Sequence, residues 1–273
     1  SLVVFTALVG MLAAPVSVHP VIGLTALICI AAGAGASGAL NMWFDRDIDA
    51  LMSRTRNRPV PQGRVTPGEA LGFGITLSVF AVTVLGLLVN MAAAALLAFT
   101  IFFYVVIYTM GLKRRTPQNI VIGGGAGASA PIIAWVAVTG RIELPAVLIA
   151  AIVFFWTPPH FWSLSLYRRD DYVRAGIPML PVTHGEPETR RQILLYTLGL
   201  VPLTLVAGPL SGFGPIYLGS AAVLGALFLA GAVRLYRRPE TVHAVQLFRF
   251  SIAYLFVLFL AMTVDAFLGL RAA

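Results

Sequence analysis

Apolar runs of about 17 to 25 residues recur along the chain, parted by short polar loops, and no other feature restricts the fold so tightly. A helix rises about 1.5 Å per residue, so about 20 apolar residues cross a hydrocarbon core of about 30 Å. Nine such runs are read, at 1–13, 21–43, 70–89, 92–111, 119–138, 143–166, 192–209, 214–235 and 247–269. The first is short and reads as if the sequence began inside it; without a basic start or a small-residue cleavage site, no cleavable signal is expected. Only 11% of the 273 residues are charged, against roughly 25% in soluble domains. An all-α integral membrane bundle is therefore expected, as a single domain over 1–273. The single cysteine, Cys29, lies inside the second run, where it packs and offers neither a disulfide nor a cysteine metal site.

The net charge of +8 could suggest nucleic acid, but its distribution excludes that partner. The loops near 42–69, 112–118, 167–191 and 236–246, with Arg234 and Arg249 at adjoining helix ends, hold 17 of the 19 Lys and Arg. Only Arg141 and Arg271 fall on the other side, where the loops near 14–20, 90–91, 139–142 and 210–213 are short and almost uncharged. By the positive-inside rule the basic side is cytoplasmic, which sets the N-terminus inside and the C-terminus outside a cell membrane, and a bacterial cytoplasmic membrane suits this layout. The chemistry is expected on that cytoplasmic face.

There the stretch ALNMWFDRDIDALMSRTRNRPVPQG places acids where a membrane helix should end. Asn41, Asp45 and Asp49 are spaced by four, so on a helix of about 100° per residue they share one face while Asp47 points away. Three oxygen ligands, two of them carboxylates, suit a hard cation such as Mg²⁺, with substrate phosphates completing its shell. The alternative is a solvated helix end whose acids pair with Arg46, Arg54, Arg56 and Arg58; acids near a bilayer are costly and usually functional, which favours the first reading.

A second cluster, LYRRDDYVRAGIPMLPVTHG, again sets acids beside arginines. Asp170 and Asp171 suit a second cation, while Tyr167, Arg168 and Arg169 can reach a phosphate, or the stretch is an ordinary basic loop. Lys113, Arg114 and Arg115 end the fourth run, and a lysine point charge there suits a diphosphate leaving group, although topology alone would also place basic residues here. Gly123, Gly124, Gly125 and Gly127 lack the Lys and Ser/Thr of a phosphate loop and lie inside a span, so they allow close packing or room for a flat ligand, as do Gly33, Gly35 and Gly38. His160, in FFWTPPHFW where Pro158 and Pro159 are expected to kink the helix, can bind a heme iron, bind a polar edge of a substrate, or serve as a hydrogen-bonded structural residue. His184, in the loop, can play either part; His19 belongs to the far side.

Asn41, Asp45 and Asp49 match the NxxxDxxxD signature of the intramembrane prenyltransferases related to 4-hydroxybenzoate polyprenyltransferase. Within that superfamily NMWFDRDIDALMSRTRNRPVPQGRV, TPQNIVIGGGAGASAPIIAWVAVTG, WTPPHFWSLSLYRRDDY and AGIPMLPVTHG resemble the protoheme IX farnesyltransferase, or heme O synthase, family over nearly the whole chain. The superfamily usually carries a DxxxD second motif, whereas here Ala175 follows Asp171 by four, which makes Asp171 the safer ligand of the pair. The resemblance implies nine transmembrane helices around a central cavity, capped by the two Asp-bearing loops. It implies transfer of a farnesyl group from farnesyl diphosphate to a vinyl group of heme B with addition of water, giving heme O and diphosphate. Mg²⁺ would then sit on Asn41, Asp45 and Asp49, with Asp171 and Asp170 for a second ion, and Arg54, Arg58, Lys113 and Arg168 on the diphosphate. The lipid bilayer and other membrane proteins of heme supply or oxidase assembly would be its surroundings.

Three rival readings differ in what they require. A transporter expects charge near the midplane and paired broken helices, whereas here the charges crowd one face. A non-catalytic heme or quinone carrier leaves two acid clusters beside basic residues unexplained. A prenyltransferase acting on an aromatic acid or quinone precursor differs only in its acceptor.

Overall fold

The computed structural model describes residues 2–268, so Arg271 and the end of the ninth run lie outside the described residues. Among these residues the regular structure is helical throughout. Eight helices among the described residues are long and apolar enough to cross a membrane. They are α2 (Pro20–Phe44), α4 (Pro67–Leu88), α5 (Met91–Phe102, continued to Leu112), α6 (Asn119–Thr139), α7 (Leu144–Tyr167), α10 (Gly185–Ser211), α11 (Pro215–Arg237) and α12 (Thr241–Phe267). The first run is α1, Leu2–Ala13, apolar but only 12 residues as described, about 18 Å at helical rise. Three short helices lie in the charged loops: α3 (Arg46–Leu51), α8 (Arg169–Arg174) and α9 (Leu180–Thr183).

Local chemistry explains most of the boundaries. Thr66 and Glu69 form a reciprocal capping box at the start of α4, with Pro67 in its first turn. Gly140 and Gly212 take left-handed conformations that close α6 and α10. The apolar run expected from 192 is only part of α10, which begins at Gly185 because Glu186–Arg190 and Glu188–Arg191 pairs carry two polar turns that hydropathy alone does not mark. Pro158 and Pro159, expected to kink their helix, leave α7 helical without interruption from Leu144 to Tyr167.

Phe103–Leu112 is π-helical, with Lys113 N–H donating to the Tyr108 carbonyl five residues back at 2.8 Å. Helices packing on their neighbours, α2 on α4, α6 between α1 and α7, and α7 against α10 and α12, enclose the molecule's interior. Their alternating directions gather the loops after α2, α5 and α7 at one end, where Lys113 reaches Asp45 and Arg168 reaches Ser53.

Candidate active site

At that end a cavity of about 390 Å³ opens inward among the helices. Its charged and amide lining comes from helix ends and loops: Asn41, Asp49, Arg54, Arg58, Lys113 and Asn119. Deeper along the helices the lining becomes aromatic and small, with Tyr104, Tyr108, Trp156, His160 and Gly127. A Cβ built at Gly127 meets no atom within 4 Å, so this glycine leaves space, whereas one at Gly124 would touch Thr157 at 3.1 Å and so marks close packing of α6 on α7.

The helix α2 ends at Phe44, and Asp45, at φ −90° and ψ 12°, joins it to α3. Four-residue bonding nevertheless runs through the joint: Asp45 N–H donates to Asn41 C=O and Asp49 N–H to Asp45 C=O, both at 2.8 Å. The facing expected from the spacing therefore survives the bend. Asn41, Asp45 and Asp49 are buried at 6%, 0% and 1% exposure, while the Asp47 side chain is 60% exposed.

Each buried acid has a cationic partner. Lys113 Nζ lies 2.5 Å from Asp45 Oδ2 and Arg114 3.1 Å from Asp45 Oδ1; Arg58 lies 2.7 Å from Asp49 Oδ2. Asn41 Nδ2 donates to Asp45 Oδ2 at 2.8 Å and to Thr109 Oγ1 at 3.2 Å, so its Oδ1 carries no bond among the described residues. Arg54 lines the cavity and forms neither an ion pair nor a side-chain hydrogen bond among the described residues, so its guanidinium remains available to an anion. Outside the cavity Arg114 also clasps Asp47 through two bonds of 2.6 and 2.7 Å, and that hydrogen-bonded guanidinium holds the Asp47 carboxyl below the usual carboxylate range.

The second acid cluster departs from expectation. Asp170 is exposed, and Asp171 accepts bonds from Ser53 and Arg174 without lining the cavity. Burial works against ionising Asp171, but the Ser53 bonds and the Arg174 charge outweigh it, so its carboxyl is held below the usual range. Among the described residues no three His, Cys, Asp or Glu side chains gather into a metal cluster, so the two acid loops do not combine into one. Arg168, expected on the diphosphate, is exposed, 3.3 Å from Ser53 Oγ and over the Tyr167 ring. Tyr167 packs edge-on against Phe248, and neither residue lines the cavity. His184 is exposed, lies 2.8 Å from Thr183 Oγ1 through its Nδ1, and does not line the cavity. Asp171 instead ties the loop to Ser53, the neighbour of Arg54.

Several lining residues were not singled out from the sequence. Tyr104 and Tyr108 lie four apart on the π-helix with ring centroids 5.4 Å apart, and Asn119 donates to the Lys113 and Thr116 carbonyls. Tyr172, beside Asp171, has its phenol pushed up by burial. The spacing of Tyr104 and Tyr108 near a charged helix end was the available signal, but in an apolar span it reads equally well as packing.

A model of the UbiA prenyltransferase family matches residues 3–262. The chain belongs to that family. This membrane prenyltransferase is 64% identical over 270 residues to a protoheme IX farnesyltransferase of Azorhizobium caulinodans, covering 97% of this chain and 88% of the relative. It is 60% identical over 274 residues to the protein of the same name from Parvibaculum lavamentivorans, covering 99% and 86%. Its fold matches the structure of a UbiA homologue from Aeropyrum pernix K1 with a TM-score of 0.78 at 22% identity, covering 96% of each chain. It also matches a UbiA homologue from Archaeoglobus fulgidus bound to DMAPP and Mg²⁺, with a TM-score of 0.65 at 15% identity, covering 96% and 94%.

Proposed function

We propose that this prenyltransferase transfers the farnesyl group of farnesyl diphosphate to a vinyl group of heme B, giving heme O. The observation that carries the reading is one cavity whose charged entrance suits a diphosphate and whose deeper lining of Gly127, Trp156 and His160 suits a flat acceptor. The similarity to protoheme IX farnesyltransferases of two bacteria over almost the whole chain supports the same acceptor.

The donor set fits Mg²⁺: Asn41 offers an unbonded amide oxygen on the face shared by two buried carboxylates, and Asn41, Asp45 and Asp49 would hold the ion. When bound, it would neutralise part of the diphosphate charge. We propose no second ion, since Asp170 and Asp171 face elsewhere. Arg54 binds and orients the diphosphate, joined by Arg58 and Lys113, which are held at the cavity by Asp49 and Asp45 until an anion arrives.

As the farnesyl C1–O bond breaks, negative charge grows on diphosphate beside these cations, which lowers the barrier. The allylic cation faces the Tyr104 and Tyr108 rings, whose π-faces attract it. The terminal vinyl carbon attacks C1; water then supplies its oxygen to the cation left next to the ring and loses a proton. The products are a hydroxyethylfarnesyl side chain and diphosphate.

We also place the cavity mouth on the cytoplasmic side of a bacterial cytoplasmic membrane, since the loops around it carry the basic residues, and we read the chain as one catalytic domain. Cysteines introduced at Glu240 and Arg141 should be labelled from opposite sides in sealed vesicles. The test of function is purified protein with farnesyl diphosphate, Mg²⁺ and heme B, read by product mass. Prenylation of a phenolic acid with heme B untouched would overturn the acceptor and leave the family intact.

A further inference from the structure

Ser251 lies at the middle of α12 and is fully buried, yet it gathers three hydrogen bonds from or to α7 and its own helix. Trp156 Nε1 donates to its carbonyl at 2.7 Å, its Oγ lies 2.7 Å from His160 Nδ1, and the same Oγ lies 2.6 Å from the Phe248 carbonyl. A hydroxyl has one proton, and the carbonyl can only accept. If Ser251 gave its proton to His160, two oxygen lone pairs would be pressed together at 2.6 Å. The arrangement that satisfies every group has Ser251 donating to Phe248 and accepting from His160, which puts the imidazole proton on Nδ1.

The other ring nitrogen then carries a lone pair. Nε2 of His160 bonds to nothing among the described residues and is not among the sealed, unpartnered atoms, while His160 lines the cavity. The ring cannot swing freely, because it is stacked between Trp156 at 4.3 Å and 17° and Phe248 at 4.7 Å and 25°. A histidine whose one nitrogen is pinned to an acceptor and whose other is open is the arrangement found in metal-ligating histidines.

We propose that Ser251 is a positioning residue that fixes His160 as the Nδ1–H tautomer, so that Nε2 meets the iron of the tetrapyrrole acceptor. The tautomer stands on the hydrogen bonds alone, whereas the iron ligand rests on the proposed heme acceptor.

The full chain, labelled with ¹⁵N-histidine in detergent, has four histidines, so the His160 nitrogens can be assigned by comparison with His160→Ala. Shifts of a protonated Nδ1 and bare Nε2 are expected, with the Nε2–H form emerging in Ser251→Ala and the native pattern kept in Ser251→Thr. A protonated Nε2 in the native chain, or no change in Ser251→Ala, overturns the proposal. Titration with hemin should show an imidazole-shifted Soret band, weakened about tenfold by Ser251→Ala, changed by less than about twofold by Ser251→Thr and lost in His160→Ala. Equal hemin binding by all variants overturns the iron ligand and leaves the tautomer. A normal hemin series with no farnesylated product would instead count against the proposed reaction alone.

Discussion

The two acid-and-arginine loops read alike in sequence, but the structure gives them different work. In the first, a bonded turn continues through Asp45 and carries Asn41, Asp45 and Asp49 inward on one face. In the second, α7 ends at Tyr167 and the chain restarts in a six-residue helix, so Asp170 faces out and Asp171 turns sideways to Ser53 and Arg174. A carboxylate near a membrane is costly wherever it lies; whether it meets a substrate depends on the continuity of the helix that carries it. The first loop lines the cavity through Asn41, Asp49, Arg54 and Arg58, and the second is tied to Ser53, the neighbour of Arg54.

The largest effect that would sharpen this contrast is at Asp49 and Asp45. Asp49→Ala or Asp45→Ala should lower turnover at least about a hundredfold, about 2.7 kcal/mol of barrier, while the protein elutes as a folded species in detergent. Asp171→Ala, measured in the same assay, should fall nearer tenfold and act mainly on KM for the diphosphate, because it loosens the Ser53–Arg54 segment without removing one of the three residues proposed to hold the ion. Equal losses from Asp171→Ala and Asp49→Ala would erase the distinction between the loops.

Much of the fold was legible because bilayer thickness imposes one length on every span: eight of nine runs reappear as helices able to cross. Of the site, Asn41, Asp49, Arg54, Arg58 and Lys113 are legible from spacing and neighbouring charge and His160 from its place beside Pro158 and Pro159, and all six line the cavity, whereas Asp45, fully buried against Lys113 and Arg114, does not. Tyr167, Arg168, Asp170 and His184 carry similar chemistry in the sequence but do not line the cavity, since Tyr167 packs against Phe248 and the other three are exposed. Tyr104 and Tyr108 escaped notice because their exposure depends on a π-helical stretch, whose wider turn has no period visible among uniformly apolar residues. Ser251 was equally silent, since a serine in an apolar helix declares its partner only when the other helix is in place.

A pH titration offers a smaller effect. Asp171 has its folded pKa lowered, so the stability contributed by its bonds to Ser53 and Arg174 is complete above the usual carboxylate value of 3.8 and is lost as pH falls below it. Hydrogen exchange of amides around Ser53 and Arg54 should accelerate below about pH 4 in the native chain. Asp171→Asn should exchange rapidly at neutral pH too. Acceleration that is identical in both chains would show that the latch does not govern the segment.

The smallest effect should come from Asp47, two residues from both Asp45 and Asp49 yet outside the cavity. Its paired arginine also touches Asp45, so Asp47→Ala leaves Arg114 with one carboxylate partner in place of two. An exposed ion pair contributes at most about 1 kcal/mol, and the partner that remains is the buried one. Turnover of Asp47→Ala should therefore stay within about threefold of native, with the difference shrinking at high salt as exposed charges are screened. A loss as deep as that of Asp45→Ala would mean that α3 turns in the working enzyme to bring Asp47 inward, and the one-face argument on which the first loop's role depends would have to be abandoned.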